Sequence, residues 1–240
     1  MMRNLLCLLV LAALLSSCHY GSGRRVRGNG NVETQSRSVG TFEAIRVLGS
    51  MDVVLSPGSS HAVRVEADEN LLNYIVTERN GDALEIRTRE RYNLRSSAGI
   101  KVYVTAPSLD EILISGSGSV VSDGRMATGN KMRVRVTGSG DVKLEVNAPE
   151  VNAQASGSGN IILTGATRSF KADINGSGEI RCFDLKSETA DVDISGSGSA
   201  EVFASRKLDV AIHGSGDVAY KGGPSVSQRI FGSGAVRSVQ

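Results

Sequence analysis

The fold is decided by the stretch Thr189-Ala190-Asp191-Val192-Asp193-Ile194-Ser195-Gly196-Ser197-Gly198-Ser199-Ala200-Glu201-Val202. Ala190, Val192 and Ile194 alternate with polar residues, and the apolar set resumes at Ala200 and Val202 beyond the glycines. Side chains alternate faces along an extended strand, so this parity predicts one buried and one wet face. The parity is the same on both sides of Gly196-Ser197-Gly198. The triplet therefore reads as a corner in a continuing strand, with its serine outward.

Working outward, the triplet recurs seven times, at Gly116 and Gly118, Gly138 and Gly140, Gly157 and Gly159, Gly176 and Gly178, Gly196 and Gly198, Gly214 and Gly216, and Gly232 and Gly234. The steps between first glycines are 22, 19, 19, 20, 18 and 18 residues. Two and four residues before these glycines stand Ile114 and Ile112, Val136 and Val134, Ala155 and Ala153, Ile174 and Ala172, Ile212 and Val210. Four after them stand Val120, Val142, Ile161, Ile180, Ala200, Val218 and Val236. A repeat of this period is the mark of a solenoid. Each coil then has a path of about 60 Å, and stacked coils about 4.8 Å apart bring the glycines into a column. Glycine is needed there for positive φ or for close approach of the neighbouring chain. The scarcity of aromatics (no Trp, five Phe, five Tyr) suits a thin aliphatic interior.

Upstream, β-type alternation runs through Phe42–Leu55 and Ala62–Ala67, and Asn80-Gly81 between two such runs is a hairpin signal. Asp68 to Tyr74 reads as a short helical turn, with Asp68 as its cap and Leu71 and Leu72 tucked under it. No segment sustains a helical period. Residues 32–109 thus form an irregular N-terminal β section and 110–240 the regular repeat, within one domain.

The first residues state an address. Arg3 precedes an apolar run Leu5–Leu15, then Ser16-Ser17-Cys18. This is a secretory leader over 1–17, too short to cross a bilayer as a mature helix. Small residues before Cys18 resemble the lipobox of bacterial lipoproteins, which implies cleavage before Cys18, lipid on its thiol and an outer-membrane location in the cell envelope. Residues 18–31, rich in Gly, Ser and Arg, read as a tether. Arg24-Arg25-Val26-Arg27 within it is a basic cluster beside the anchor, read as a solvated linker, with contact to acidic lipid headgroups as the alternative. Without the leader, 26 basic residues balance 25 acidic ones, which gives no electrostatic case for nucleic acid. Cys7 leaves with the leader, so Cys182 is the one thiol left and no internal disulfide can form.

The strand Phe42-Glu43-Ala44-Ile45-Arg46-Val47, the strand end Ala106-Pro107 and the serial Ile/Val-x-Gly-Ser-Gly-x-Val units resemble the auto-transporter adhesin, head GIN domain family, over about residues 38 to 240. The resemblance implies an all-β, single-stranded right-handed parallel β-helix, common in Bacteroidetes envelopes. It brings no catalytic residues with it.

Candidate sites are few. Asp173 and Asp193 lie three residues before successive triplets, and Asp191 and Asp209 five before. Stacked in register, the four carboxylates share an outward face, with Lys171 one coil earlier. Like charges opposite one another destabilise a sheet unless compensated, so the patch reads as ion-paired or as a ligand or cation site. No cofactor is otherwise called for, and the positions after the triplets lack the regular Asp ladder of calcium-binding rolls. His61 and His213 have no metal-ligand spacing around them, and Cys182 falls on the inward parity. Gly-Ser-Gly is not the Gly-x-Ser-x-Gly elbow of hydrolases. The reading is a non-catalytic, lipid-anchored envelope solenoid with a structural or adhesin-like binding role, its flat faces suited to a protein or glycan partner. The alternative is a carbohydrate-active β-helix enzyme centred on the Asp face, with either the long N-terminal segment or the return loop at Ser122 to Lys131 walling its cleft. Val236 and Val239 near the end of the chain show no cap, which predicts self-association into homo-oligomers.

Overall fold

The computed structural model describes residues 23–239. Cys7, Cys18 and the leader lie outside them. The N-terminal elements are β1 (Arg24–Arg27), β2 (Val32–Arg37), β3 (Ala44–Gly49), β4 (Asp52–Pro57), β5 (Ala62–Asp68), a 3-10 turn (Glu69–Tyr74), β6 (Ile75–Asn80), β7 (Ala83–Thr88), β8 (Tyr92–Arg95) and β9 (Lys101–Ala106). The repeat supplies β10 (Glu111–Gly116), β11 (Ser119–Ala127), β12 (Lys131–Gly138), β13 (Asp141–Gly157), β14 (Asn160–Gly176), β15 (Glu179–Cys182) and β16 (Leu185–Lys186). It continues as β17 (Thr189–Gly196), β18 (Ser199–Phe203), β19 (Lys207–Gly214), β20 (Asp217–Lys221), β21 (Ser225–Gly232) and β22 (Ala235–Ser238).

From β10 onward each strand pairs in parallel with its equivalent one coil away, glycine against glycine. This is the stacked β-solenoid that the repeat predicts. Inward positions form straight columns: Ile45, Ile112, Val134, Ala153, Ala172, Val192 and Val210 are all buried in one of them. Volume is shared between columns. Phe170, fully buried, stacks on Ala190 of the next coil and is followed two residues on by Ala172. Each large aliphatic side chain taken out of water contributes about 1.5–3 kcal/mol, so these columns hold the stack together.

The two glycines of a corner are needed for different reasons. First-position glycines take φ between +112° and +142°. The second-position glycines Gly118, Gly140, Gly159, Gly178, Gly198, Gly216 and Gly234 do not lie in the positive-φ region. Of the two needs expected at a corner, close approach is the one that selects glycine at these seven. A Cβ on Gly157 would lie 2.5 Å from the Gly138 carbonyl oxygen, and one on Gly159 would lie 2.5 Å from that of Gly140. Gly178 would meet the Gly159 carbonyl oxygen at 2.5 Å. Gly216 would meet Ile194 Cγ2 at 2.6 Å and the Gly198 carbonyl oxygen at 2.7 Å. Gly234, in the last corner, would run into the Gly216 carbonyl oxygen. An eighth corner, Gly49-Ser50-Met51, lacks the second glycine and stacks beneath Gly116-Ser117-Gly118. Gly49 keeps the positive φ, yet a Cβ there would meet nothing within 4 Å. With no glycine corner beneath it, the second position tolerates the Met51 side chain, which is buried.

Regular stacking therefore begins at Ala44, not at residue 110. The chain order there is not sequential: β3 lies between β7 and β10, and β4 between β9 and β11. Antiparallel strands finish this end, with β6 on β7 through the Gly81-Asp82 turn and β2 on β5 on β9. At the other end β21 and β22 pair on one side only among the described residues, and Val226 and Phe231 are exposed.

Two further expectations need correction. The expected tether is folded from Arg24: β1 pairs in parallel with β8, and Gly28 N–H donates to the Arg95 carbonyl at 2.9 Å. Asp68 does not cap the 3-10 turn, although Leu71 and Leu72 are buried as expected. Its buried carboxylate instead accepts from Gly30 N–H at 2.7 Å, from the Ser97 hydroxyl at 2.7 Å and from the Ser96 hydroxyl. That clasp draws residues 28–30 onto the body, and Gly28 passes so close that a Cβ would clash with the carboxylate.

Candidate functional site

Coil register places Asp173 opposite Asp193, Asp191 opposite Asp209 and Lys171 opposite Asp191. All are on the outward parity of β14, β17 and β19. Lys171 Nζ is 3.7 Å from Asp173 Oδ1 and 3.8 Å from Asp193 Oδ2. Lys207 Nζ is 2.6 Å from Asp209 Oδ2. Asp191 has no cation at ion-pair distance among the described residues. Its carboxyl is pushed above the usual range by partial burial and then by the Asp193 charge, against the pull of Lys171. Two ammonium groups therefore balance half of the acidic charge. Among the described residues no group of three His, Cys, Asp or Glu side chains is spaced to hold a metal ion. The four carboxylates form a ladder along the sheet and not a cage.

The same columns change sign along the solenoid. Towards the N-terminal end they hold Arg46, Arg133 and Arg135, with Gln154 and Asn152 between the basic and the acidic stretch. Glu111 sits 3.7 Å from Arg133 and 4.0 Å from Arg135. Past the corner, a second outward column runs Asp52, Ser119, Asp141, Asn160, Glu179, Ser199, Asp217. Each acid is separated from the next by a neutral residue. Ser119 Oγ donates to Asp52 at 2.7 Å, and Asn160 Nδ2 to Asp141 at 2.8 Å. Like charges are thus kept about 9.6 Å apart, two coil steps of about 4.8 Å.

The expected return loop at Ser122 to Lys131 is mostly strand. β11 runs to Ala127 with a bulge between Val121 and Arg125, where Gly124 takes φ of +112°. It walls no cleft over the Asp face. Two shallow grooves lie elsewhere. One, of about 600 Å³, runs past Thr128, Asn147, Pro149, Thr167 and Arg168. Another, of about 850 Å³, lies between Ser36–Thr41 and Ser59–Arg64. Hydroxyl groups and Arg37 line it, and Arg37 Nε is buried without a hydrogen-bond partner.

The remaining candidates take structural places. His61 Nε2 lies 2.9 Å from the Phe42 carbonyl oxygen, and its ring packs edge-on against Phe42. His213 stacks on Phe231 with centroids 4.9 Å apart. Cys182 is buried, which pushes its thiol up to about 12. The rings of Phe183 and Phe203 carry Lys221 and Lys186 over their faces, at 5.0 and 4.2 Å. Sequence reasoning missed the β1–β8 ribbon, which joins Arg24, Arg25 and Arg27 to Arg95. The signal lay in the alternation Tyr92-Asn93-Leu94-Arg95, too short to stand out.

A stack of parallel coils with glycine corners and polar outward columns is a β-solenoid of the repeat class. The chain belongs to the family described as "Putative auto-transporter adhesin, head GIN domain", whose model matches residues 41–224. It is similar to a "Putative lipid binding protein" from Parabacteroides distasonis ATCC 8503, with 30% identity, a TM-score of 0.76, and 90% of this chain and 100% of that one covered. It also resembles a "putative adhesin" from the same organism, with 25% identity, a TM-score of 0.73, and 90% of this chain and 100% of that one covered. A further "putative adhesin", from Bacteroides fragilis NCTC 9343, shares the fold at 21% identity, with a TM-score of 0.84 over 89% of this chain and 100% of that one. No curated protein matches the chain.

Proposed function

We propose that this protein is a non-catalytic, adhesin-like binding module of the cell envelope, held at the outer membrane by lipid on Cys18. The observation that supports it most is the register of the outward columns. One side chain per coil, at steps of about 4.8 Å, builds flat faces that suit an extended partner. Catalysis asks for convergent acid, base and substrate-positioning groups in a concave site. The Asp ladder is instead spread along an open sheet, and Lys171 and Lys207 hold three of its four carboxylates in ion pairs.

The partner is an envelope protein or a polar glycan. Lysines cover the Phe183 and Phe203 rings, which favours polar contact over ring stacking. The test is to immobilise the full chain and present glycans and envelope proteins, with and without calcium. A saturable partner lost on Asp173→Ala with Asp193→Ala supports a binding module seated on the acidic face. Release of new reducing ends from any polysaccharide, abolished by the same pair, overturns it in favour of an enzyme. Palmitate incorporation that disappears in Cys18→Ala tests the anchor separately.

A further inference from the structure

We infer that the β1–β8 ribbon is a docking surface for anionic lipid headgroups, which seats the N-terminal end of the solenoid on the membrane. The ribbon pairs Arg24 with Tyr92, Arg25 with Asn93, Val26 with Leu94 and Arg27 with Arg95. Alternation sorts these residues. Val26, Tyr92 and Leu94 are half-buried on one face, and Leu94 packs against the core. Arg25, Asn93, Arg27 and Arg95 form the other face and are all exposed. That face holds three guanidinium groups and no carboxylate.

Arg27 and Arg95 stand directly opposite each other on neighbouring strands. Such a like-charge pair opposes strand pairing unless an anion lies against both. Arg89 and Arg91 lie in the turn that leads into β8, Arg24 falls on the Val26 side of the ribbon opposite Tyr92, and all six arginines are exposed. None of the six makes an ion pair among the described residues. Glu90 is the one acid in the adjoining turn. Arg91 itself is held at φ of +65°, the one residue other than glycine with positive φ among those described. A long side chain in that conformation costs energy that asparagine or glycine would largely avoid, and such strain collects at working surfaces. Arg91 and the ion-paired Arg87 line a groove of about 540 Å³ with Leu48, Leu94 and Ile100, on the Leu94 side of the ribbon, and Arg25, Arg27 and Arg95 lie outside it.

The membrane is favoured over other anions by position. Five residues separate Cys18 from Arg24. Whatever their conformation, they span no more than about 20 Å. The inference rests on Cys18 as the anchor, because the anchor is what brings the ribbon to the headgroups. Asp68 and Gly28 fix the chain directly after the ribbon, so the body cannot swing freely from it. Arginines near an anionic surface each add about 1 kcal/mol of attraction, so three give roughly 100-fold in affinity.

The test uses the full chain carrying Cys18→Ala, which has no lipid on that position, against phosphatidylcholine vesicles with and without phosphatidylglycerol. The expected result is tighter binding to the anionic vesicles. That preference falls by roughly 100-fold in Arg25→Gln/Arg27→Gln/Arg95→Gln and weakens as the Debye length shrinks from about 10 Å at 0.1 M salt to 3 Å at 1 M. Arg95→Gln alone, which changes one exposed side chain, should lose part of it. Arg229→Gln with Arg237→Gln, at the far end of the solenoid, should lose none. Equal binding to both vesicles by the parent, or full retention in the triple variant, overturns the inference. So does capture of dextran sulfate through these arginines with no response to phosphatidylglycerol, which would assign the patch to an acidic glycan. Loss of palmitate labelling on the wild-type chain would sink the anchor without touching this result.

Discussion

Asp173 and Asp193 face each other on successive coils, and the Lys171 ammonium sits 3.7 Å from one carboxylate and 3.8 Å from the other. One cation thus serves two acids, and Asp191, in the next column, goes without. Lys171 is 41% exposed, so water screens the pairs and their worth is small. Lys171→Met should lower stability by no more than about 1 kcal/mol, and less in high salt, by urea unfolding. A cost several times larger would mean that the ladder is more deeply desolvated than its exposure indicates.

Asp191→Asn should act in the opposite direction. Partial burial and the neighbouring carboxylates raise the Asp191 carboxyl above its unfolded value. For a raised acid, the folded state holds the proton more tightly, so its contribution to stability is present in acid and lost as pH climbs through the folded value. At neutral pH the ionised group therefore works against the fold. Replacing it with asparagine should stabilise at pH 7 by a few tenths, about 0.2–1 kcal/mol, and give nothing below about pH 3.9. Urea midpoints at the two pH values read this, and a loss at pH 7 would contradict the charge assignment.

The corner glycines should separate into two classes. Gly157→Ala meets both penalties: φ of +116° and a Cβ 2.5 Å from the Gly138 carbonyl oxygen, which cannot move without breaking the stack. It should cost at least about 3 kcal/mol, among the large single-residue effects. Gly49→Ala has the same backbone demand, with φ of +118° and open space around it. It should cost about 1–2 kcal/mol, the strain alone. Equal losses at the two sites would show that conformation, not close approach, selects glycine in the column.

The coils were legible in the sequence because burial repeats with the strand period: Ile112, Ile114 and Val120 declare their faces without any tertiary information. Offset arithmetic likewise put Asp173 and Asp193 together, since parallel stacking in register turns sequence spacing into contact. Two things were not legible. Met51 at a glycine position hid the first corner, because what licenses it is the lack of a glycine corner beneath it. The insertion of β3 between β7 and β10, and the docking of Arg25 and Arg27 beside Arg95, depend on pairings between distant segments. Short, charged strands leave no periodic signature of such partners.

Asp68 should govern the acid limb of stability. Hydroxyl donors from Ser96 and Ser97 and the backbone N–H groups of Gly30 and Ser97 hold its carboxyl well below the usual range, against desolvation. A lowered acid contributes stability that is present above about pH 3.9, the unfolded value, and lost as pH falls towards the folded one. Asp68→Asn should flatten that acid limb. It should also speed amide exchange at Gly30 and through β1, because the clasp over residues 28–30 loosens. Unchanged exchange in β1 would show that pairing with β8 alone holds the ribbon.

Cys182 gives the corresponding signal in base. It sits in the inward column between Leu163 and Val202, and burial raises its thiol to about 12. An ordinary thiol titrates near 8.5, so at pH 8 the folded thiolate fraction should be roughly 1000-fold lower than in the unfolded chain, even before access is considered. Iodoacetamide should therefore leave the native protein unlabelled at that pH and modify Cys182 fully in guanidinium. The linkage runs with the raised value. Below about pH 8.5 both states keep the proton and the stabilising contribution is whole. Above it the unfolded chain releases its proton first, and stability declines towards pH 12. Cys182→Ala should lose about 1 kcal/mol or so from the vacated sulfur, and should remove the part of the alkaline decline that belongs to this thiol. Rapid labelling of the native chain would mean that the coil around Leu163 and Val202 opens readily.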